Sequence, residues 1–322
     1  MRIAIIFPTY NRGIYLQRAV DSVVGQLQGL PPEVDVALSI HDNASTDNTK
    51  EICTRLADLH GILRVYRRPE NIGADANILA AISSADADYI WIFGDDDYLR
   101  AGSLSTVIKI LLTEGVDVLK IGATEERDLR LKPGTAPARD ISSPIFSSDV
   151  DRYNSSAEIL RNFGVGLGNF TSLIFSSIFF HSNYRAVEQD FFDSGYSQLE
   201  WIYRGLAVRP DCFGHIKSAF LVLRIEISPR GLSPERVKHG LSILSMKLLE
   251  IGYPKVEVRA LYESQCDAIL LSRVKAYKIH RMPIWSSIKT AWKESFDVRS
   301  RLKIAIIFFM PSTIYRRLWS RL

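Results

Sequence analysis

The sequence predicts an α/β protein built on a mainly parallel sheet flanked by helices, and three observations lead there. Five short runs of apolar, mostly β-branched or aromatic residues recur in the first 125 residues, at 3–7, 34–40, 63–66, 89–93 and 116–121. The segments between them carry apolar residues at helical spacing. Polar clusters follow the first, second and fourth runs, and ligands of such sheets bind outside the carboxyl ends of the strands.

Each element has its own pattern. The first helix is marked by Ile14, Leu16, Ala19, Val20, Val23, Val24 and Leu27, the second by Ile52, Leu56 and Leu59. The third follows from Ile78, Leu79 and Ile82, the fourth from Leu104, Val107, Ile108, Leu111 and Leu112. Residues 127–148 show no clear period and read as a long loop or a small excursion. Order resumes with a helix over 155–162, a buried strand over 172–180, a helix over 198–207 and one or two strands within 212–227. Helices follow over 234–251 and 256–277, and Pro283 opens a tail. The expected organisation is a ligand-binding half over 1–125, a second half over 126–272 and a tail over 273–322.

Composition bounds the rest. With 322 residues, 47% of them hydrophobic and 24% charged, the chain can bury one large core or two modest ones, which excludes disorder as its main state. The longest apolar run, 304–310, is far below the ~18 residues that a membrane span needs. Arg2 and the early Pro8 do not make a signal peptide, so Met1 is expected to be the native start and the protein cytoplasmic. Cys53, Cys212 and Cys266 stand far apart and outside any CxxC, which points to small core residues rather than disulfides or zinc. The net charge of +4 is uneven: residues 273–322 carry +10 and residues 1–272 carry −6.

The strongest chemical signal is YIWIFGDDDYL, where an apolar strand delivers Gly94 and then Asp95, Asp96 and Asp97. Three adjacent carboxylates repel one another unless they are solvated or hold a cation. Mg²⁺ or Mn²⁺ is the natural counter-ion, because such ions use one or two carboxylates together with substrate phosphates. The bland alternative is a solvated acidic turn. In HDNASTDNT, Ser45 to Thr49 suit the start of a helix, whereas Asp42 at the strand tip can accept hydrogen bonds from a nucleotide. FPTYNR places Pro8 at the end of the first strand and Tyr10 where it can stack on a base or simply shape a loop. Asn71 and Gly73 precede the third helix on the same side. Neither GxGxxG after the first strand nor GxxxxGK[ST] occurs, which disfavours dinucleotide redox chemistry and P-loop phosphoryl transfer.

Taken together and in this order, IAIIFPTYNR, IHDNASTDNT, ENIGADANI and YIWIFGDDDYL resemble the nucleotide-sugar half of family 2 glycosyltransferases with the GT-A fold. FGDDD is similar to the bacterial abequosyltransferase-like branch that acts on O-antigen or other surface polysaccharides. The resemblance covers residues 1–125 and implies transfer of a sugar from a nucleoside-diphosphate donor to an acceptor hydroxyl with Mn²⁺ or Mg²⁺ and inversion at the anomeric carbon. It implies that Pro8 and Tyr10 flank the base, Asp42 holds it, Asp95 lies at the ribose, and Asp96 ligates the metal with Asp97 helping through water. Two positions depart from the pattern. Gly94 stands where many relatives carry an Asp, and the Arg that often follows the NxG motif is replaced in that region by Ala76 and Asn77.

The family also places an acidic base at a helix start after an FD pair, which here implies Glu200, with Asp193 next; the alternative is that Glu200 only complements its helix dipole. Trp201 occupies the place of the usual second acid and could pack on the acceptor sugar. His181 and His215 read as structural. In the tail, Trp285, Trp292, Phe308 and Phe309 among basic residues describe an interfacial anchor on an anionic membrane surface, or else helices packed on the body. Nucleic acid is a poorer partner for an acidic body. The expectation is thus a glycosyltransferase peripheral to the inner face of the plasma membrane, acting on a saccharide acceptor that is lipid-linked. The rivals are a non-catalytic sugar-nucleotide binder or scaffold and, less well supported, a nucleotidyltransferase.

Overall fold

In the computed structural model the first apolar run becomes strand β1, Arg2–Thr9, followed by helix α1, Gly13–Val24, whose buried Leu16, Ala19, Val20 and Val23 form the stripe set by the sequence. Strand β2, Asp35–Asp42, helix α2, Thr49–Leu59, strand β3, Leu63–Arg67, and helix α3, Ala74–Ser84, repeat the unit. Then come β4, Tyr89–Ile92, the two-residue β5, Tyr98–Leu99, α4, Ser103–Glu114, and β6, Val118–Glu126. The second half supplies β7, Asp151–Arg152, α5, Ser156–Phe163, β8, Leu173–Ser176, α6, Ser177–Asn183, α7, Gln189–Phe192, α8, Ser197–Val208, and β9, Phe213–Arg224. Helices α9, Pro234–Ile251, and α10, Lys255–His280, complete the described elements. The structure describes residues 1–126, 149–186, 189–192, 194–224 and 234–280. The predicted 127–148 loop, Asp193 and the tail beyond 280 lie outside them.

Contacts divide the chain into one unit ending at Ile225 and another beginning at Glu226. In the first, the described strands join one mixed sheet in the order β3-β2-β1-β4-β8-β6-β9-β5, with β7 beside β9. Strands β1 to β4 pair in parallel, β8 runs antiparallel to β4 and β6, and β9 is parallel to β6. The chain moves outward from β1 through β2 to β3 and then returns to the other side of β1 as β4. That reversal leaves a crevice at the carboxyl ends of β1 and β4, the usual ligand position of such sheets. One sheet face presents Ile3, Ile5, Phe7, Leu38, Ile40, Trp91 and Phe93 to the apolar stripes of α1, α2 and α4. Truncating a fully buried member such as Leu16 to Ala would cost about 2–5 kcal/mol.

One predicted strand is shorter than its apolar run. Residues 172–180 divide into β8 and α6 because Ser176 ends the strand and caps the helix, its hydroxyl accepting from the Phe179 N–H at 3.1 Å. Phe179 and Phe180 are still buried, now from a helix. In the second unit, α9 packs on α10. Gly252, with a φ of 108°, ends α9 by donating its N–H to the carbonyls of Leu248 and Leu249.

Candidate active site

The walls of the crevice are loops tied to one another across the sheet. After β1, Asn11 takes a φ of 56°, which Asn tolerates better than most residues. Its Oδ1 accepts from the N–H groups of Thr46 at 2.7 Å and Asp47 at 3.3 Å, and its own N–H donates to Ser45 Oγ at 2.9 Å. At Gly13 the two loops touch. A Cβ there would stand 2.9 Å from both Asn48 Oδ1 and Thr49 Cα, so only glycine fits. The N-cap of α2 is Asn48, which makes no side-chain cap bond; the preceding Asp47 instead accepts from the Thr49 N–H at 2.9 Å.

Asp42 belongs to this framework. It is 1% exposed; Oδ1 accepts from Ser45 N–H at 3.0 Å and Ser45 Oγ at 2.5 Å, and Oδ2 is paired with Arg67. Its neighbour Asn43 reaches across the crevice instead, donating to Asn71 Oδ1 at 2.8 Å and to the Gly73 carbonyl at 3.1 Å, and accepting from Ile72 N–H at 3.0 Å. The Asn71–Gly73 turn that the sequence singled out is therefore fixed by Asn43. Gly73, at a φ of 87°, lets the chain enter α3 there.

The floor is the acidic triplet, and its three members differ. Asp97 is buried and engaged at both oxygens: Oδ2 accepts from Thr171 Oγ1 at 2.5 Å and Oδ1 from the Arg224 N–H at 2.9 Å. Thr171 Oγ1 also accepts from the Gly94 N–H at 3.0 Å, and the Thr171 carbonyl accepts from Trp91 Nε1 at 2.7 Å. These contacts explain Gly94, where a Cβ would lie 2.5 Å from Asp97 Oδ2 and 2.8 Å from Thr171 Oγ1. Asp96 is half-buried, and its Oδ2 receives Arg12 Nη1 at 2.5 Å with Arg224 Nη1 at 3.9 Å. Asp95 lies between β1 and Asp96. Burial, then the Asp96 charge, push its carboxyl up to about 7, while the nearby Thr9 hydroxyl and Arg12 restrain the rise. Burial and Asp96 likewise raise Asp97 to about 6 against the Thr171 and Arg224 donors.

A cleft of about 360 Å³ opens above this floor. Of the residues chosen from sequence, Pro8, Tyr10, Asn71, Gly73, Asp95 and Asp96 line it together; Asp42 and Asp97 stand behind its wall and floor. Thr9, Arg12, Asn43 and Asn77 also line it; pattern reading passed over the first three and noted Asn77 only as a departure from the family pattern. Tyr10 is 42% exposed. Among the described residues no three His, Cys, Asp or Glu side chains converge as a closed metal cage. Asp95 and Asp96 nonetheless fit Mg²⁺ or Mn²⁺, which need only one or two carboxylates when phosphates supply other ligands. The Arg12 guanidinium on Asp96 marks the spot as one that holds positive charge.

The candidate base is placed differently. Glu200, in the first turn of α8, is 2% exposed and does not line the cleft; its Oε1 accepts from Arg204 Nε at 2.9 Å, while Oε2 is buried without a hydrogen-bond partner among the described residues. Asp193 lies outside the described residues. Trp201 is buried between Phe175 and Phe180, at ring distances of 5.0 and 5.2 Å, and borders a small hollow with Phe170, Tyr184, Phe192 and Ser197. Ser197 donates to Asp75 Oδ2 at 3.0 Å, which ties the start of α8 to α3 and so to the cleft wall. His215 packs edge-on against Phe163 at 4.9 Å, as a structural residue would.

Residues 4–145 match the family described as "Glycosyl transferase family 2". Among curated proteins, the chain is 29% identical over 232 residues to the abequosyltransferase RfbV of Salmonella typhimurium strain LT2, covering 69% of this chain and 66% of that one. It is 33% identical over 112 residues to the chondroitin synthase of Pasteurella multocida strain Pm70, covering 35% of this chain and 11% of the synthase. The chain thus spans less than two thirds of the length of these relatives. Among solved structures, it resembles S. aureus TarS 1–349 in complex with UDP, at a TM-score of 0.57 and 14% identity over 100% of this chain and 92% of that one. It also resembles the mannosyltransferase PcManGT of Pyrobaculum calidifontis in complex with GDP-Man and Mn²⁺, at 0.54 and 14% over 99% and 88%. These likenesses establish a shared GT-A fold.

Proposed function

Because residues 4–145 are a family 2 glycosyltransferase domain on a GT-A fold, we propose that the protein transfers a sugar from a nucleoside-diphosphate donor to an acceptor hydroxyl. The observation that carries this reading is the delivery of Asp95 and Asp96 into the crevice between β1 and β4, opposite Pro8, Tyr10 and Asn71. Tyr10 and Pro8 bracket the base, and the Asn43-braced turn closes the donor's other side. Asp95 faces the ribose. Asp96 would hold Mn²⁺ or Mg²⁺, with Asp97 behind it acting through water, and the ion when bound stabilises the negative charge gained by the departing nucleoside diphosphate.

The acceptor loses its proton to a carboxylate of the Asp193–Glu200 segment, and attack from the face opposite the leaving group inverts the anomeric carbon. The abequosyltransferase likeness supports a lipid-linked or surface-polysaccharide acceptor of the O-antigen kind. The +10 charge of residues 273–322 supports attachment to an anionic inner membrane face. No described helix is long and apolar enough to cross a membrane.

The test is a panel of nucleotide sugars screened by thermal shift with Mn²⁺, followed by transfer assays with lipid-linked acceptors. One donor should stabilise the protein and be consumed only with acceptor present. Asp96→Asn and EDTA should each abolish metal-stimulated turnover; full activity in either condition sinks the metal-dependent reading. A second reading, a sugar-nucleotide binder without transferase activity, draws on the pairing of Glu200 with Arg204 away from the cleft. It predicts donor binding with no turnover on any acceptor.

A further inference from the structure

We propose that the groove on the back of the sheet, between α3 and the edge strand β3, is a second nucleotide site, with the base on Tyr66 and the phosphate on Arg64 and Arg68. It is separate from the donor cleft and needs no metal. It does not depend on the transferase reading, under which the nucleoside diphosphate released by transfer is one such ligand.

Strand alternation opens the groove. Ile3, Ile5, Phe7, Leu38 and Ile40 belong to the core beneath α1, α2 and α4, so Ala4, Ile6, Ala37, Ser39 and His41 face the other way. On that second face α3 packs over β1 and β2, and its Ala80, Ala81 and Ser84 form one wall. The register sets Arg64 beside Ser39 and Tyr66 beside His41, so β3 forms the opposite wall. About 470 Å³ is open between them, and among the described residues none lines both this groove and the donor cleft.

Three observations point to a nucleotide. The first is charge. At one end Arg2 is neutralised by Asp35 at 3.2 Å and Asp86 at 2.8 Å. Along β3, the Arg64 side chain donates only to the Gly61 carbonyl, at 3.4 Å, and the Arg68 side chain to Asn77 Oδ1 at 3.2 Å. Among the described residues neither pairs with a carboxylate. Two uncompensated guanidinium groups are out of keeping with a body whose residues 1–272 carry −6, and phosphate is an anion that their planar forks fit. The second is Tyr66, placed between the two arginines along the strand. It is 54% exposed, and its ring lies 4.8 Å from that of His41 at 31°; a base can extend such a stack. The third is His41 in the floor, 4% exposed. Its Nε2 lies 3.2 Å from Ser39 Oγ, while Nδ1 is buried with no hydrogen-bond partner among the described residues. A buried polar atom left short of a partner favours a ligand that supplies one.

Isothermal titration calorimetry on the full-length protein separates the two sites, because the donor cleft is proposed to use Mn²⁺ and the groove holds arginines instead. UDP and GDP are titrated in EDTA and again with Mn²⁺, and pyrophosphate, which has no base, is titrated in EDTA. A nucleotide should bind in EDTA, and a further equivalent should bind when Mn²⁺ is present. Arg64→Gln and Tyr66→Val, each checked for a cooperative melt, should weaken the EDTA-resistant site about tenfold, as loss of a charge-assisted bond or of a stacked base would. Both should leave the Mn²⁺-dependent site unchanged, and Asp96→Asn should do the reverse. Arg68 is left intact because Asn77, its partner, lines the donor cleft. The groove site is overturned by the absence of EDTA-resistant binding at millimolar nucleotide, by EDTA-resistant binding indifferent to Arg64→Gln or to Tyr66→Val, or by pyrophosphate binding as tightly as nucleotide. If the Mn²⁺-dependent site alone is missing, the groove site stands and the donor-site reading falls.

Discussion

Thr171 Oγ1 lies 2.5 Å from Asp97 Oδ2, and the same oxygen accepts the Gly94 N–H at 3.0 Å. One hydroxyl from the second half of the chain thus fixes both ends of the acidic turn of the first. Thr171→Val removes the donor while keeping the shape, and leaves a buried carboxylate and a buried amide each short of a partner. The loss should be about 1–3 kcal/mol of stability, with turnover falling because Asp95 and Asp96 ride on the loosened turn. Thr171→Ser should restore most of both. Urea denaturation and steady-state rates on the three proteins decide it; a Val variant as stable and active as wild type would show that Thr171 is a bystander.

Gly94→Asp would restore the acid that many relatives carry, yet it should harm this protein. The new Cβ would meet Asp97 Oδ2 at 2.5 Å and Thr171 Oγ1 at 2.8 Å, and a fourth charge would join a turn where the Asp96 charge already raises the pKa of Asp95 and Asp97. Overpacking of this kind costs about 1–3 kcal/mol. A lower melting temperature and weaker donor binding are expected, and a gain in either would mean that the turn is looser than its contacts suggest.

Replacement of the two base candidates separates their roles. If Glu200 takes the acceptor proton, Glu200→Gln should keep donor affinity and lower kcat by ~10² to 10⁴; if it serves only to pair with Arg204, the variant should lose stability with kcat nearly kept. Asp193→Asn is the complementary measurement. A fall in kcat without loss of stability in one variant alone identifies the base, and full activity in both removes this segment from the chemistry.

His41 gives a pH signature. It sits at the end of β2, 4% exposed, and burial, then the Arg68 charge, lower its pKa to about 4. The unfolded chain therefore binds a proton between about pH 4 and 6.5 that the folded chain does not. A depressed pKa means that this group favours folding more as pH rises through that window and contributes nothing further above it. The slope attributable to His41 is at most ~1.4 kcal/mol per pH unit. His41→Gln should flatten the rise of stability between pH 4.5 and 6.5, measured by urea unfolding; parallel wild-type and variant profiles would count against the assignment.

The donor half was legible because its information is local. Apolar runs of strand length, the helical stripes and the strand-end position of the Asp triplet are all visible within windows of about ten residues. What escaped depends on distance along the chain: Arg12 meets Asp96 across 84 positions, Thr171 meets Asp97 across 74, and Arg224 across 127. No spacing rule reaches that far. Asp42 shows the converse, since its strand-tip position was read correctly but Ser45 and Arg67 take up its oxygens and leave Asn43 facing the cleft. The departure at Gly94 was visible in sequence, while its cause, the crowding by Thr171, was not.

The pairing of β5 with β9, Leu99 with Leu221, together with the Arg224 bond to Asp97, has a temporal consequence. A ribosome synthesises the acidic triplet long before it synthesises the residues that brace it. Until β9 has left the exit tunnel, the nascent chain carries three adjacent carboxylates without Arg224 or a partner strand for β5. Folding of this site is therefore a late, non-local event. A polypeptide released anywhere between residues 99 and 224 contains every recognisable donor motif and yet lacks the full brace of the acidic turn.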